Sequence, residues 1–127
     1  MTRTFKTRHF ARWMRKTELS DQALCKAVAE MQKGSIDADL GGGVVKKRVP
    51  LPGRGKSGST RTLVATNKGS RWFFMVGFEK SEKDNINPGE LEALKKYAEE
   101  LLKLTMTQLD SQVKSGALQE ICHENKN

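Results

Sequence analysis

Apolar positions along this chain change their period several times, and each change marks an element. Phe10, Trp13 and Met14 fall at i, i+3 and i+4, which predicts a short helix with Arg8, Arg12, Arg15 and Lys16 on its other faces. Leu24, Ala27, Val28 and Met31 then repeat at helical spacing, behind Ser20 as an N-cap and ahead of Gly34 as a stop. From Val44 to Val49 the period falls to two and the residues are β-branched, so a strand is expected, closed by Pro50 and Pro52. Ser59 to Thr66 reads as the next strand, and Asn67-Lys68-Gly69 as a hairpin turn. Arg71 to Phe78 is aromatic and nearly unbroken, as expected of a central strand covered on both faces. The helical period returns after Asn87-Pro88-Gly89-Glu90, with a stripe of Leu91, Leu94, Ala98, Leu101 and Leu102. Thr107 with Asp110 predicts the start of a last short helix, which Gly116 ends. Thr4-Phe5-Lys6 suits a short first strand, and Leu118 to Cys122 a final edge strand.

The resulting order, β-α-α-β-β-β-α-α, joins its sequential strands by tight turns. It predicts an α+β fold with an antiparallel sheet and helices on one side. Three successive glycines, Gly41 to Gly43, favour a turn or a close backbone approach. With no repeat and no long linker, residues 1–127 read as one domain, with residues 117–127 as edge strand and tail. Cys25 and Cys122 do not make a disulfide framework, and are expected as reduced thiols in a cytoplasmic protein. The basic N-terminus has no apolar run behind it, so no signal peptide is expected. No stretch approaches the roughly 18 apolar residues of a membrane span.

Charge sharpens the picture. The net charge is +8, and its distribution is uneven. Residues 1–48 hold 11 Lys/Arg against 5 Asp/Glu, and residues 49–83 hold 7 against 2; residues 84–127 reverse the sign, with 5 against 8. The stretch from Val44 to Lys83 places Lys46, Lys47, Arg48, Arg54, Lys56, Arg61, Lys80 and Lys83 on predicted strands and glycine-rich turns. A cationic sheet of this kind is suited to phosphate, and so to RNA or DNA. Strand alternation sends Lys46 and Arg48 to one face and Lys47 to the other, with Val45 and Val49. Arg61 shares its face with Leu63 and Ala65, so its guanidinium should border the core and call for an anionic partner. Only Glu79 and Glu82 supply acid between residues 49 and 83, which makes a ligand phosphate the economical partner.

Other chemistry is poorly supported. Gly55-Lys56-Ser57 suggests a nucleotide-binding loop, but Pro50 stands where that motif needs glycine, and a strand follows rather than a helix. His9, His123, Cys25 and Cys122 are too few and too scattered for a zinc site. No Cys-His or Ser-His-Asp arrangement suggests itself.

Several motifs together carry a family resemblance. These are Phe5-Lys6-Thr7, Leu40-Gly41-Gly42-Gly43-Val44-Val45-Lys46-Lys47-Arg48-Val49, Gly55-Lys56-Ser57-Gly58 and Arg61-Thr62-Leu63-Val64. Arg71-Trp72-Phe73-Phe74, Gly77-Phe78-Glu79-Lys80 and the Leu118-Gln119-Glu120-Ile121-Cys122-His123 tail continue the series. In this order they resemble the RelE/HigB-like toxins of bacterial type II toxin–antitoxin modules, in the RelE/ParE superfamily. The resemblance implies a twisted antiparallel sheet with two N-terminal helices packed on it and a C-terminal helical segment. It implies a cytoplasmic, metal-independent endoribonuclease without cofactor, which enters the ribosomal A site and cuts mRNA there by attack of a 2′-hydroxyl on the adjacent phosphate.

Carried over by position, the catalytic residues implied are Lys46, Lys47, Arg61 and Lys80, with Arg48, Arg54, Lys56, Lys83 and Phe78 in contact with RNA. Lys47 or Lys46 would take the 2′-hydroxyl proton, its basicity tuned by neighbouring cations. Arg61 would grip the scissile phosphate bidentately, and Lys80 would serve the leaving 5′-oxygen. The partners implied are the ribosome, mRNA and a cognate antitoxin, often of helix-turn-helix type, and no membrane. The chain departs from many relatives in having no Tyr or His near the end of the Arg71–Phe78 strand; Tyr97, His9 and His123 lie elsewhere. Two other functions are compatible with the scaffold: a ParE-like toxin that inhibits DNA gyrase by binding alone, and a simple nucleic-acid-binding protein.

Overall fold

Local signals set most of the element ends. The computed structural model of the chain describes residues 2–52, 58–79 and 86–123. Its elements are β1 (Arg3–Thr7), α1 (Arg8–Met14), α2 (Asp21–Gln32), β2 (Ala38–Gly41) and β3 (Val44–Pro50), followed by β4 (Ser59–Thr66), β5 (Arg71–Glu79), α3 (Pro88–Leu102), α4 (Met106–Ser115) and β6 (Leu118–Ile121). Ser20 caps α2 by accepting from the Ala23 amide. Asn87 and Glu90 form a reciprocal capping box at α3, with Pro88 in its first turn. The last helix begins earlier than Thr107 and Asp110 suggest, because Thr105 and Gln108 form the box instead. Gly116 ends it in the left-handed region, at φ +87°.

The sheet has six strands in the order β2-β3-β4-β5-β1-β6. Its β2–β3, β3–β4, β4–β5 and β1–β6 pairs are antiparallel. β1 runs parallel to β5, with Phe5 opposite Phe73, so the sheet is mixed and not wholly antiparallel as expected. The crossover is possible because α1 through β4 separate the two strands in the chain. β2 is a further addition to the expected order. It pairs with β3 through a tight turn at Gly42 and Gly43, both at positive φ, which matches the twist of a hairpin.

A second correction concerns the helices, which pack on both faces of the sheet. α1 and α2 cover a core that includes Phe10, Leu24, Val28, Val45, Val49, Val64, Trp72 and Phe74. α3 and α4 cover another, with Phe5, Leu63, Ala65, Phe73, Met75, Ala98, Leu101 and Leu109. Phe5 and Phe73 stack at 5.0 Å within the second. Double coverage explains why β5 is apolar without alternation. Burial of so many apolar side chains on two faces is the main favourable term in the fold. A bulge in β5 divides these side chains: Leu63 opposes Val76 while Val64 opposes Phe74, which leaves Met75 as the extra residue. Beyond it, Gly77 lies against the Trp13 ring of α1, with no room for a side chain.

Polar contacts fasten the margins. Arg3 of β1 makes a two-point contact with Glu120 of β6, at 2.9 and 2.7 Å, and a further ion pair with Asp110 of α4 at 2.9 Å. These carboxylates, Glu120 foremost, hold the Arg3 guanidinium firmly protonated. At the β4–β5 turn, Asn67 Oδ1 accepts from the amides of Gly69, Ser70 and Arg71. Lys68 of the same turn, with the Gly41 amide, holds the Asp39 carboxyl below the usual carboxylate range.

Cys25 and Cys122 are joined in a disulfide, which overturns the expectation of reduced thiols. The bond ties α2 to the residue that follows β6, across a sequence separation of 97. Pairing of that kind comes from tertiary proximity, which two cysteines in a sequence do not reveal.

Two outcomes follow for stability. Gly77→Ala would drive a methyl group to 2.3 Å from the Trp13 ring, and is expected to cost about 1–3 kcal/mol in urea denaturation. Reduction of the disulfide, or Cys25→Ala with Cys122→Ala, is expected to lower stability by about 2–4 kcal/mol, read as a lower urea midpoint with and without dithiothreitol.

Candidate functional site

Three strands bring the cationic positions into order. Arg48 of β3 pairs with Arg61 of β4, which pairs with Phe78 of β5, so the three side chains cross one face of the sheet in line. One step along, Lys46, Leu63 and Val76 form the parallel row. This is the face covered by α3 and α4, and along the row exposure falls from Arg48 through Arg61 to the buried Phe78. Arg48 is exposed and Lys46 half-buried. The Arg48 amide donates to Asp37 Oδ2 at 2.6 Å, which ties the strand to the segment before β2.

Arg61 carries the most telling feature. Its Nη1 is buried without a hydrogen-bond partner, the one side-chain atom in that condition among the described residues. A buried donor left unpaired costs about 1–3 kcal/mol, and more when it is charged. Arg48 directly across the pair adds like-charge repulsion. An anion placed between the two guanidinium groups would relieve both costs, and the planar donor fork of arginine matches phosphate.

Lys47 is not part of this row. It points to the opposite face, where its Nζ pairs with Glu30 Oε1 of α2 at 3.0 Å and donates to Ser35 O at 2.9 Å. Its side chain is only 6% exposed. The threonines around it bond to the strand itself: Thr62 Oγ1 donates to Lys47 O and Thr60 Oγ1 to Val49 O. Lys47 thus ties α2 to β3. Phe78 is buried in the second core, with 5% of its surface exposed. Arg54, Lys56, Lys80 and Lys83 lie outside the described residues.

Beside Phe78 the structure opens a cleft of about 370 Å³, lined by His9, Val76, Phe78, Ile86, Glu90 and Leu94 among others. No local signal in the sequence marks His9 for this cleft. It lies 69 residues from Phe78 and reaches β5 only because β1 runs beside that strand and leads directly into α1. No group of three or more His, Cys, Asp or Glu among the described residues is placed to hold a metal ion.

Known proteins give this face a context. Residues 2–121 match the family described as the RelE toxin of the RelE/RelB toxin–antitoxin system. That match spans nearly the whole chain, and the chain belongs to the RelE toxin family. It is a toxin of a toxin–antitoxin pair, with an antitoxin as its partner. No curated protein matches it significantly. No helix among the described residues is long and apolar enough to cross a membrane.

The two charged positions should respond oppositely to truncation. Lys47→Ala breaks a half-buried ion pair and a backbone contact, and should cost about 1–3 kcal/mol in thermal or urea unfolding. Arg61→Ala removes a buried unpaired donor and should leave stability unchanged or higher. A large loss with Arg61→Ala would mean that this side chain is structural.

Proposed function

We propose that this toxin is a ribosome-dependent mRNA endoribonuclease, which cuts in the A site and so halts translation. The observation that carries the reading is the unpartnered, buried Nη1 of Arg61 beside Arg48. Arg61 binds the scissile phosphate, and Arg48 neutralises the charge that builds on its non-bridging oxygens. The 2′-oxygen of the upstream ribose attacks phosphorus and passes its proton to Lys46, which acts as the general base. The bond from phosphorus to the 5′-oxygen breaks, and that oxygen takes a proton from Lys80. The products are a 2′,3′-cyclic phosphate and a 5′-hydroxyl, with no net redox change. Lys46 is the base here in preference to Lys47, because it shares the face of Arg48 and Arg61 while Lys47 serves Glu30. Arg54, Lys56 and Lys83 are assigned to the RNA backbone in this reading on their charge and place in the sequence.

The antitoxin of this pair, of helix-turn-helix type in this reading, would silence the toxin by covering the same cations. The cytoplasm, where ribosomes are found, is the matching compartment.

The test is controlled expression with mapping of transcript 5′ ends, matched by purified protein acting on mRNA with and without ribosomes. Cuts within translated codons, present only with ribosomes, are expected. Arg61→Ala should lower the cleavage rate by about 100-fold or more, and Lys47→Met should cleave at close to the parental rate when folded. Growth arrest with intact transcripts would defeat this reading and direct attention to DNA gyrase as a bound target.

A further inference from the structure

The cleft beside Phe78 stands in a particular relation to the phosphate position. It opens on the same face as Arg61, one strand away, since Phe78 is the cross-strand partner of Arg61 and also lines the cleft. β1 ends at Thr7, whose hydroxyl donates to Met75 O. From Val76 onward, β5 therefore has the start of α1 beside it in place of a strand, and this leaves the notch. Its apolar lining includes Val76, Phe78, Ile86 and Leu94, and the exposed residues His9, Glu90 and Ala93 border it as well.

An apolar slot with a few polar groups at its edge is the form that holds a flat heteroaromatic ring. Splayed-out bases of single-stranded RNA are recognised by such contact on their faces and by hydrogen bonds on their edges. We propose that this cleft receives one nucleobase of the bound RNA, that of a nucleotide flanking the phosphate held by Arg61, and that His9 is the residue that selects it. The base lies against Val76 and Phe78 under α3, and the imidazole of His9 meets its polar edge. The surface pattern agrees: the cations of β3 and β4 take the backbone, while the mostly apolar slot one strand further takes the ring. This inference rests on the ribonuclease reading for its substrate. It adds that the toxin carries its own base preference, supplied by a helix that ends thirty residues before the first cationic strand begins.

The experiment is ribosome-dependent cleavage of an mRNA library randomised at the A-site codon, with read-out of base frequencies on each side of the cut. The parent protein should favour one base at one flanking position. His9→Ala should reduce that preference by about tenfold. Ala93→Trp, made at an exposed helical site, should fill the cleft and change which base is taken. Circular dichroism and thermal unfolding confirm that both variants fold. Cleavage by the parent without base preference, or with one that neither substitution alters, would overturn the inference and leave the ribonuclease reading standing.

If the parent does not cleave at all, the ribonuclease reading fails and the cleft is judged by binding. The probe is then a trinucleotide with 2′-deoxyribose at its centre, titrated into labelled protein. NMR shifts at the His9 imidazole and the Ala93 methyl group support base capture. Shifts confined to Arg48 and Arg61, or none, overturn it.

Discussion

Everything at the candidate site depends on the alternation of side chains across a sheet that is buried on both faces. Each strand position belongs to one of two cores, and a slip of one residue would exchange them. The bulge at Met75 keeps this assignment workable in β5. It lets Trp72 and Phe74 enter the core beneath α1 and α2, while Phe73, Met75 and Phe78 enter the other. Without the extra residue, Phe78 would leave the face of Arg61 and Gly77 would no longer meet Trp13. The row from Arg48 through Arg61 to Phe78 is therefore a result of packing in the interior as much as of charge at the surface.

The same alternation separates three adjacent cations that a reading by composition would group together. Lys46 and Arg48 share the face of Arg61; Lys47 crosses the sheet to Glu30 and Ser35. One run of positive charge thus divides into a ligand surface and an internal tie. The tie holds α2 down on β3, and α2 in turn covers the apolar side of the strands that carry the ligand surface.

Much of this was legible in the residues. Ser20, Asn87 and Gly116 announced helix ends, the period-two run announced β3, and the company of Leu63 and Ala65 announced that Arg61 would border the core. What escaped was long-range. Parallel pairing of β1 with β5 has no local signature, and neither has the bond between Cys25 and Cys122. Helices on both faces accompany that pairing, since β1, one strand in from the edge, leads into α1 and α2 on one side. β2 escaped for a different reason: at four residues, Ala38–Gly41 is too short to display a period. His9 joined the cleft only through the placement of β1, so its position was hidden for the same reason as the topology.

The two edges of this sheet mature at different times. β2 forms a hairpin with β3 across two residues, so that edge can close as soon as it is made. The other edge is β6, which pairs with β1 at a separation of more than a hundred residues and brings Glu120 to Arg3 and Cys122 to Cys25. During synthesis, β1 therefore waits with one edge bare until β6 has emerged. Contacts of such separation close late because the loop entropy must be met first. A nascent copy of this toxin would hold β3, β4 and β5, and with them its cationic row, before it holds the contacts that fasten its last strand. The interval between those events gives a partner access to an incomplete toxin while that toxin is still attached to the ribosome that is making it.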